Sequence, residues 1–188
     1  GQKVIAVSDY TGGLYSSDGL PIDEILTFTR SGKLMKDYEK EGIRHITNDE
    51  LITCDCDILI PCALENQITE DNADRIQAKI IVEAANGPTS VEADEILQKK
   101  NIIVCPDILS NAGGVVVSYF EWVQNIQSLT WDLEEVNAML NKIMLKAFDE
   151  VYTVSEERTV PLRMAAYIVA IKRITTACKL RGGPISLA

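Results

Sequence analysis

An α/β fold with a mostly parallel sheet, followed by three consecutive helices, is what this sequence predicts. Two observations carry that expectation. Short apolar runs at Lys3–Ser8, Ile43–Thr47, Asp57–Pro61, Ile80–Glu83 and Ile102–Cys105 alternate with polar or helix-forming stretches. Strands this short and apolar suit a sheet covered on both faces. From Ser110 onward the apolar spacing lengthens to three and four residues, the period of a helix.

Lys3–Ser8 is β-branched and predicts a strand, and Asp9-Tyr-Thr-Gly-Gly13 predicts a turn. Asp18-Gly-Leu-Pro21 is a second turn. Pro21 suits the first position of a helix reaching Thr29, because its φ is already helical and an N–H there would be unpaired. Ser31–Lys40 reads as a short helix and Ile43–Thr47 as a strand. Asp57–Pro61 predicts a buried strand ended by proline. Asn66–Ala78 is polar and reads as a loop with a short helix, before the strand Ile80–Glu83. Thr89-Ser-Val-Glu92 matches a capping box, opening a helix to Lys100 with Asn101 as a left-handed stop. Ile102–Cys105 is a strand ended by Pro106-Asp107.

Asn111-Ala-Gly-Gly114 leads into a dense apolar and aromatic run up to Asn125, read as a loop entering a buried helix. Tyr119, Phe120 and Trp122 are expected in the core. Asp132 with Glu135 starts the next helix, whose Leu133, Val136, Leu140, Ile143, Ala147 and Val151 form one buried stripe. Pro161 opens the last helix, which is expected to be buried along Met164–Ile171 and to end at Gly182-Gly183-Pro184.

At 188 residues the chain suffices for one domain, or one with a small appendage. With 46% hydrophobic and 24% charged residues it can bury a core without a disulfide or metal staple. A formal charge of −10 opposes nucleic-acid phosphates, so no nucleic-acid partner is expected. No apolar run reaches the length of a membrane span, and Gly1-Gln-Lys3 does not read as a secretory signal. An odd count of five cysteines then points to reduced thiols in the cytoplasm, read as small buried hydrophobes. Cys54 and Cys56 lack zinc spacing and His45 is the single histidine, so no metal site is expected.

Five segments go further: Pro61-Cys-Ala-Leu-Glu-Asn-Gln-Ile-Thr69, Glu83-Ala-Ala-Asn-Gly-Pro-Thr89, Pro106-Asp-Ile-Leu-Ser-Asn-Ala-Gly-Gly114, Val117-Ser-Tyr-Phe-Glu-Trp-Val-Gln124 and Leu162-Arg-Met-Ala-Ala-Tyr167. In sequence and order they resemble the glutamate dehydrogenases of the Glu/Leu/Phe/Val dehydrogenase family, across essentially the whole chain. The resemblance implies a Rossmann-like nucleotide-binding-type domain over 1–130 with C-terminal helices, 131–188, packed on it. Its doubly wound sheet is expected to be truncated. No G-x-G-x-x-G turn is present, and Lys3–Ser8 followed by Asp9 matches the family's second strand. The first strand is central in the order 3-2-1-4-5-6. The two halves are therefore expected to close as 3-2-4-5-6 in a homodimer, or to have the gap filled by another chain.

The resemblance also assigns residues. Asp9 would take the ribose hydroxyls of NAD and repel the extra phosphate of NADP, although a turn-former reading stands beside it. Ala63 and Leu64 would line the nucleotide cleft by backbone. Asn86 would face the nicotinamide ribose, and also suits a left-handed turn. Asn111 would lie where substrate meets nicotinamide. Val115 and Ser118 would line the pocket for the substrate's side-chain carboxylate, unless Ser118 bonds a preceding helix carbonyl. The implied reaction is oxidation of L-glutamate to 2-oxoglutarate and ammonia. No residue is assigned as catalytic, because nothing here matches the family's substrate domain with its lysines and aspartate. The chain alone is expected to bind NAD weakly or not at all and to be inactive. It would be a homo-oligomer, one part of a split enzyme completed by a substrate-domain chain, or a regulatory or scaffold protein. As a fragment, its parent would be an ordinary dehydrogenase.

Overall fold

The computed structural model describes residues 1–182, so Gly183 and Pro184 of the expected helix stop lie outside the described residues. These residues form two compact units. The first contains Gly1–Leu59, Glu65–Ile81 and Pro88–Ile102; the second contains Ile60–Leu64, Val82–Gly87 and the chain from Ile103 onward.

The first unit opens with an antiparallel sheet of β1 (Ala6–Asp9), β2 (Gly12–Tyr15) and β3 (Arg44–Ile46), in that order. The expected turn at Asp9 is the bend of a hairpin, and Gly12–Tyr15, which the sequence does not announce as a strand, forms its second arm. Asp9 Oδ1 closes the bend by accepting the Thr11 N–H at 2.7 Å and the Thr11 hydroxyl at 2.5 Å. Gly12-Gly13 resembles turn chemistry, but Gly13 has a packing role. A Cβ on it would stand 2.9 Å from Ile46 Cγ1, so only glycine admits the approach of β3.

The hairpin corrects the expected sheet. Its two-residue bend sets β2 antiparallel to β1, and β3 pairs antiparallel with β2. They form a sheet of their own, and the single closed order 3-2-4-5-6 is not formed. The parallel expectation holds further along. β4 (Ile58–Leu59) pairs in parallel with β5 (Ile80–Val82) through Ile58–Ile80 and Leu59–Ile81. β6 (Ile103–Cys105) completes the order β4-β5-β6, with the Glu83 N–H donating to Cys105 O at 3.1 Å.

Local signals place the helices of the first unit. α1 (Ile22–Arg30) starts after Pro21, and its Ile25 packs with Leu14, Leu20 and Tyr38. A single 3₁₀ turn, Met35–Asp37, replaces the short helix expected over 31–40. α2 (Asn48–Ile52) was not expected, although Thr47 and Glu50 form a full capping box at its start. α3 (Glu70–Ala73) lies in the polar stretch. α4 (Val91–Lys99) is capped by Ser90, whose hydroxyl accepts the Ala93 N–H at 3.2 Å; the capping box expected from Thr89 is not formed. Asn101 is left-handed, φ 58°, as expected of a helix stop.

The second unit holds α5 (Asp107–Ser110), α6 (Gly113–Gln127), α7 (Leu133–Arg158) and α8 (Leu162–Leu180). Asp132 and Glu135 make the expected capping box of α7. Leu109, Val151, Ala165, Ala166 and Val169 form the core, with Cys105, Ala147, Val154, Val160 and Leu162 packed around it. The helices are covered less than their patterns predict. On α7 the stripe is buried only near Val151, and Leu133 is 72% exposed. On α8 Met164, Tyr167 and Ile171 are exposed. Phe120 is buried edge-on against Trp131, 5.9 Å between ring centres, whereas Tyr119 and Trp122 stack on each other in solvent. Among the described residues α6, α7 and α8 each carry large apolar side chains that stay exposed. The cysteines also depart from expectation, since Cys62 and Cys178 are exposed and the other three half-buried.

Candidate functional site

Parallel strands leave their carboxyl ends as the place where α/β proteins bind ligands. In the second unit the segments after β4, β5 and β6 meet there. Pro61 O accepts the Ala84 and Ala85 N–H groups at 3.0 and 2.9 Å. Ser110 Oγ donates to Glu83 O, and Asn111 Nδ2 donates to Asn86 Oδ1 at 2.7 Å, with Ala84 O at 3.3 Å. With those atoms engaged, the pair keeps one amide donor, Asn86 Nδ2, and one amide acceptor, Asn111 Oδ1, for a further partner. Such a pair suits a ligand carrying hydroxyl or carboxamide groups.

The positive φ in this loop belongs to Gly87, at 56°, so Asn86 does not hold the left-handed turn. Gly87 N–H donates to Asp107 Oδ2 at 2.8 Å. Beneath the loops lies Glu83, fully buried, with Oε1 accepting from Arg163 at 2.6 Å and Oε2 accepting the Asp107 N–H at 2.9 Å. Arg163 Nη1 is 3.6 Å from Asp107 Oδ1. Burial, and then the Glu83 charge, push the Cys105 thiol above its ordinary range.

Of the residues expected in a site, Asn86 and Asn111 touch. Ala63 and Leu64 lie in the exposed segment after β4, with Leu64 62% exposed. Val115 and Ser118 are exposed on the first turns of α6, and Ser118 Oγ donates to Gly114 O at 3.2 Å. Asp9 belongs to the first unit, where its Oδ1 serves the hairpin bend. The sequence reading missed Glu83, Asp107 and Arg163 as site residues. Glu83 did leave a signal, a carboxylate inside the apolar run Ile80–Ala85, which calls for a buried partner. Which cation meets it, no local pattern says. Among the described residues no cluster of three or more His, Cys, Asp or Glu could hold a metal. No helix among them is long and apolar enough to cross a membrane.

The family model for Glutamate/Leucine/Phenylalanine/Valine dehydrogenase matches residues 1–182. The chain is 52% identical over 182 residues to a glutamate dehydrogenase of Thermotoga maritima, covering 97% of this chain and 43% of that protein. It is 48% identical over 186 residues to a cryptic catabolic NAD-specific glutamate dehydrogenase of Bacillus subtilis, covering 97% of this chain and 42% of that one. The hetero-hexameric glutamate dehydrogenase of Thermus thermophilus superimposes with a TM-score of 0.86 at 32% identity, over 97% of this chain and 42% of that chain. The chain thus spans less than half the length of the relatives it matches.

Proposed function

The chain belongs to the Glutamate/Leucine/Phenylalanine/Valine dehydrogenase family, and from that premise we propose that it forms the nucleotide-binding part of an NAD-dependent glutamate dehydrogenase. The observation that carries the proposal is the Asn86–Asn111 pair, at 2.7 Å, at the carboxyl ends of parallel strands. Asn86 then faces the nicotinamide ribose and Asn111 the junction with substrate. Ala63 and Leu64 line the cleft, Val115 and Ser118 receive the glutamate side chain, and Asp9 selects NAD over NADP. The two close relatives named as glutamate dehydrogenases support the substrate, and the NAD-specific one supports the cofactor.

In this reading the sheet β4-β5-β6 belongs to a truncated Rossmann-like fold, residues 1–130 carry the nucleotide, and α7 and α8 form the helical support. Hydride transfer also needs a lysine to polarise the reacting carbon centre and a carboxylate to move its proton. In the family those groups belong to the substrate domain, so this chain alone does not turn over glutamate, and without a G-x-G-x-x-G turn it binds NAD weakly. The exposed apolar side chains of α6, α7 and α8 support assembly, with a second copy or with a substrate-domain chain, in the cytoplasm.

Differential melting with NAD, NADP and glutamate tests the reading. NAD at millimolar concentration should raise the melting temperature, NADP should raise it less, and glutamate alone should leave it unchanged. An equal response to NADP defeats the Asp9 role. No response to any nucleotide defeats the cofactor reading, and glutamate turnover by the isolated chain defeats the claim of inactivity.

A further inference from the structure

Glu83 divides its two oxygens between two structural elements. Oε1 receives Arg163, which stands on the first turn of α8, and Oε2 receives the backbone N–H of Asp107. Arg163 reaches the second carboxylate as well, 3.6 Å from Asp107 Oδ1, while Asp107 Oδ2 accepts the Gly87 N–H. One guanidinium thus stands between two carboxylates, and each carboxylate holds a backbone amide of a different segment. Glu83 fixes the start of α5 at Asp107, and Asp107 fixes the loop at Gly87. Asn111 directly follows α5, and Asn86 lies on that loop.

The chemistry suits this task. A carboxylate as buried as Glu83 is tolerated only when paired and fully hydrogen-bonded. A planar guanidinium can serve two carboxylates in a fixed geometry, which the single point charge of an ammonium cannot. Arg163 is itself 22% exposed on its side chain and Asp107 23%, so the clamp lies under the loop surface.

We infer that Arg163 is a positioning residue: through Glu83 and Asp107 it sets the spacing of Asn86 and Asn111, and so couples α8 to the nucleotide site. The coupling to a nucleotide rests on the function proposed above, whereas the clamp rests on the distances alone.

Amide hydrogen exchange read by NMR on the full chain tests the clamp. Two variants are used: R163K, and E83Q/R163M, in which the second change avoids leaving a buried charge unpaired. In the double variant the Gly87 and Asp107 amides should exchange at least about tenfold faster relative to amides inside α7, because the opening is local. In R163K, which keeps the charge but not the fork, the increase should be smaller, about threefold. Exchange within twofold of wild type at both amides, in the variants that fold, overturns the clamp; R163K decides alone if the double variant unfolds. NAD titration of the same samples tests the coupling. In wild type the side-chain amide signals of Asn86 and Asn111 should shift, and in the double variant the titration midpoint should rise about tenfold. Faster exchange with an unchanged midpoint overturns the coupling. Faster exchange with no NAD response in wild type defeats the cofactor reading and upholds the clamp.

Discussion

Asn111 Nδ2 donates to Asn86 Oδ1 across 2.7 Å, joining two loops 25 residues apart in sequence. The donor also faces Ala84 O at 3.3 Å and Ala85 O at 3.5 Å, so it looks into three oxygens. Asn111→Asp replaces that donor with a carboxylate oxygen and turns attraction into repulsion. The variant should lose about 1–3 kcal/mol of stability in a urea titration, more than Asn111→Ala. Equal stability of the Asp variant and wild type would show that the pair is not formed.

The start of α4 separates two neighbouring hydroxyls. Ser90 caps the helix, while Thr89 Oγ1 is buried with no hydrogen-bond partner among the described residues. Ser90→Ala should therefore cost about 1 kcal/mol. Thr89→Val keeps the shape and removes the orphan hydroxyl, so it should be neutral or stabilising by up to about 1 kcal/mol. The reverse ranking in thermal melts would return the cap to Thr89.

Burial pushes the Cys56 thiol up to about 12, helped by Cys54 beside it and by the carboxylates Asp55 and Asp57. At about pH 8 its thiolate fraction should lie far below that of an ordinary thiol. Iodoacetamide followed by mass spectrometry should find the exposed Cys178 alkylated well before Cys56. Labelling of both at one rate contradicts the placement of Cys56.

Four carboxylates of the first unit are held below their ordinary range. The Arg75 guanidinium bonds Asp49, the Lys79 and Lys40 ammonium groups bond Asp57 and Glu24, and the Thr47 N–H and hydroxyl bond Glu50. A depressed folded-state value means that the unfolded chain binds protons first as pH falls. The stabilisation is present above the ordinary carboxylate range and is lost below it. The melting temperature should stay level from neutral pH to about 5 and fall below about 4. Asp49→Asn should flatten part of that fall. A melting temperature that rises on acidification through this window rules the linkage out.

How much was legible depends on the range of each interaction. The capping box at Asp132, the left-handed stop at Asn101 and the helix starts at Pro21 and Pro161 were readable because each depends on atoms within one turn of chain. The parallel strands around Ile58 and Ile80 were readable from their unbroken apolar runs, and the family from its five segments. The strand at Gly12–Tyr15 was not, because two glycines carry turn chemistry until Ile46 is seen packed against Gly13. The capping box at Thr47 was overlooked although its signal is local.

The sequence by itself determined the start of α7 at Asp132, the stop of α4 at Asn101, the parallel runs around Ile58 and Ile80 and which family the chain joins. Only the tertiary structure decided that the first three strands form a separate antiparallel sheet and that parts of α7 and α8 stay uncovered. It also decided that Glu83 meets Arg163, a residue 80 positions away. A cap is settled by neighbours along the chain. A buried charge is settled by whichever opposite charge the fold delivers, and no window of sequence contains both.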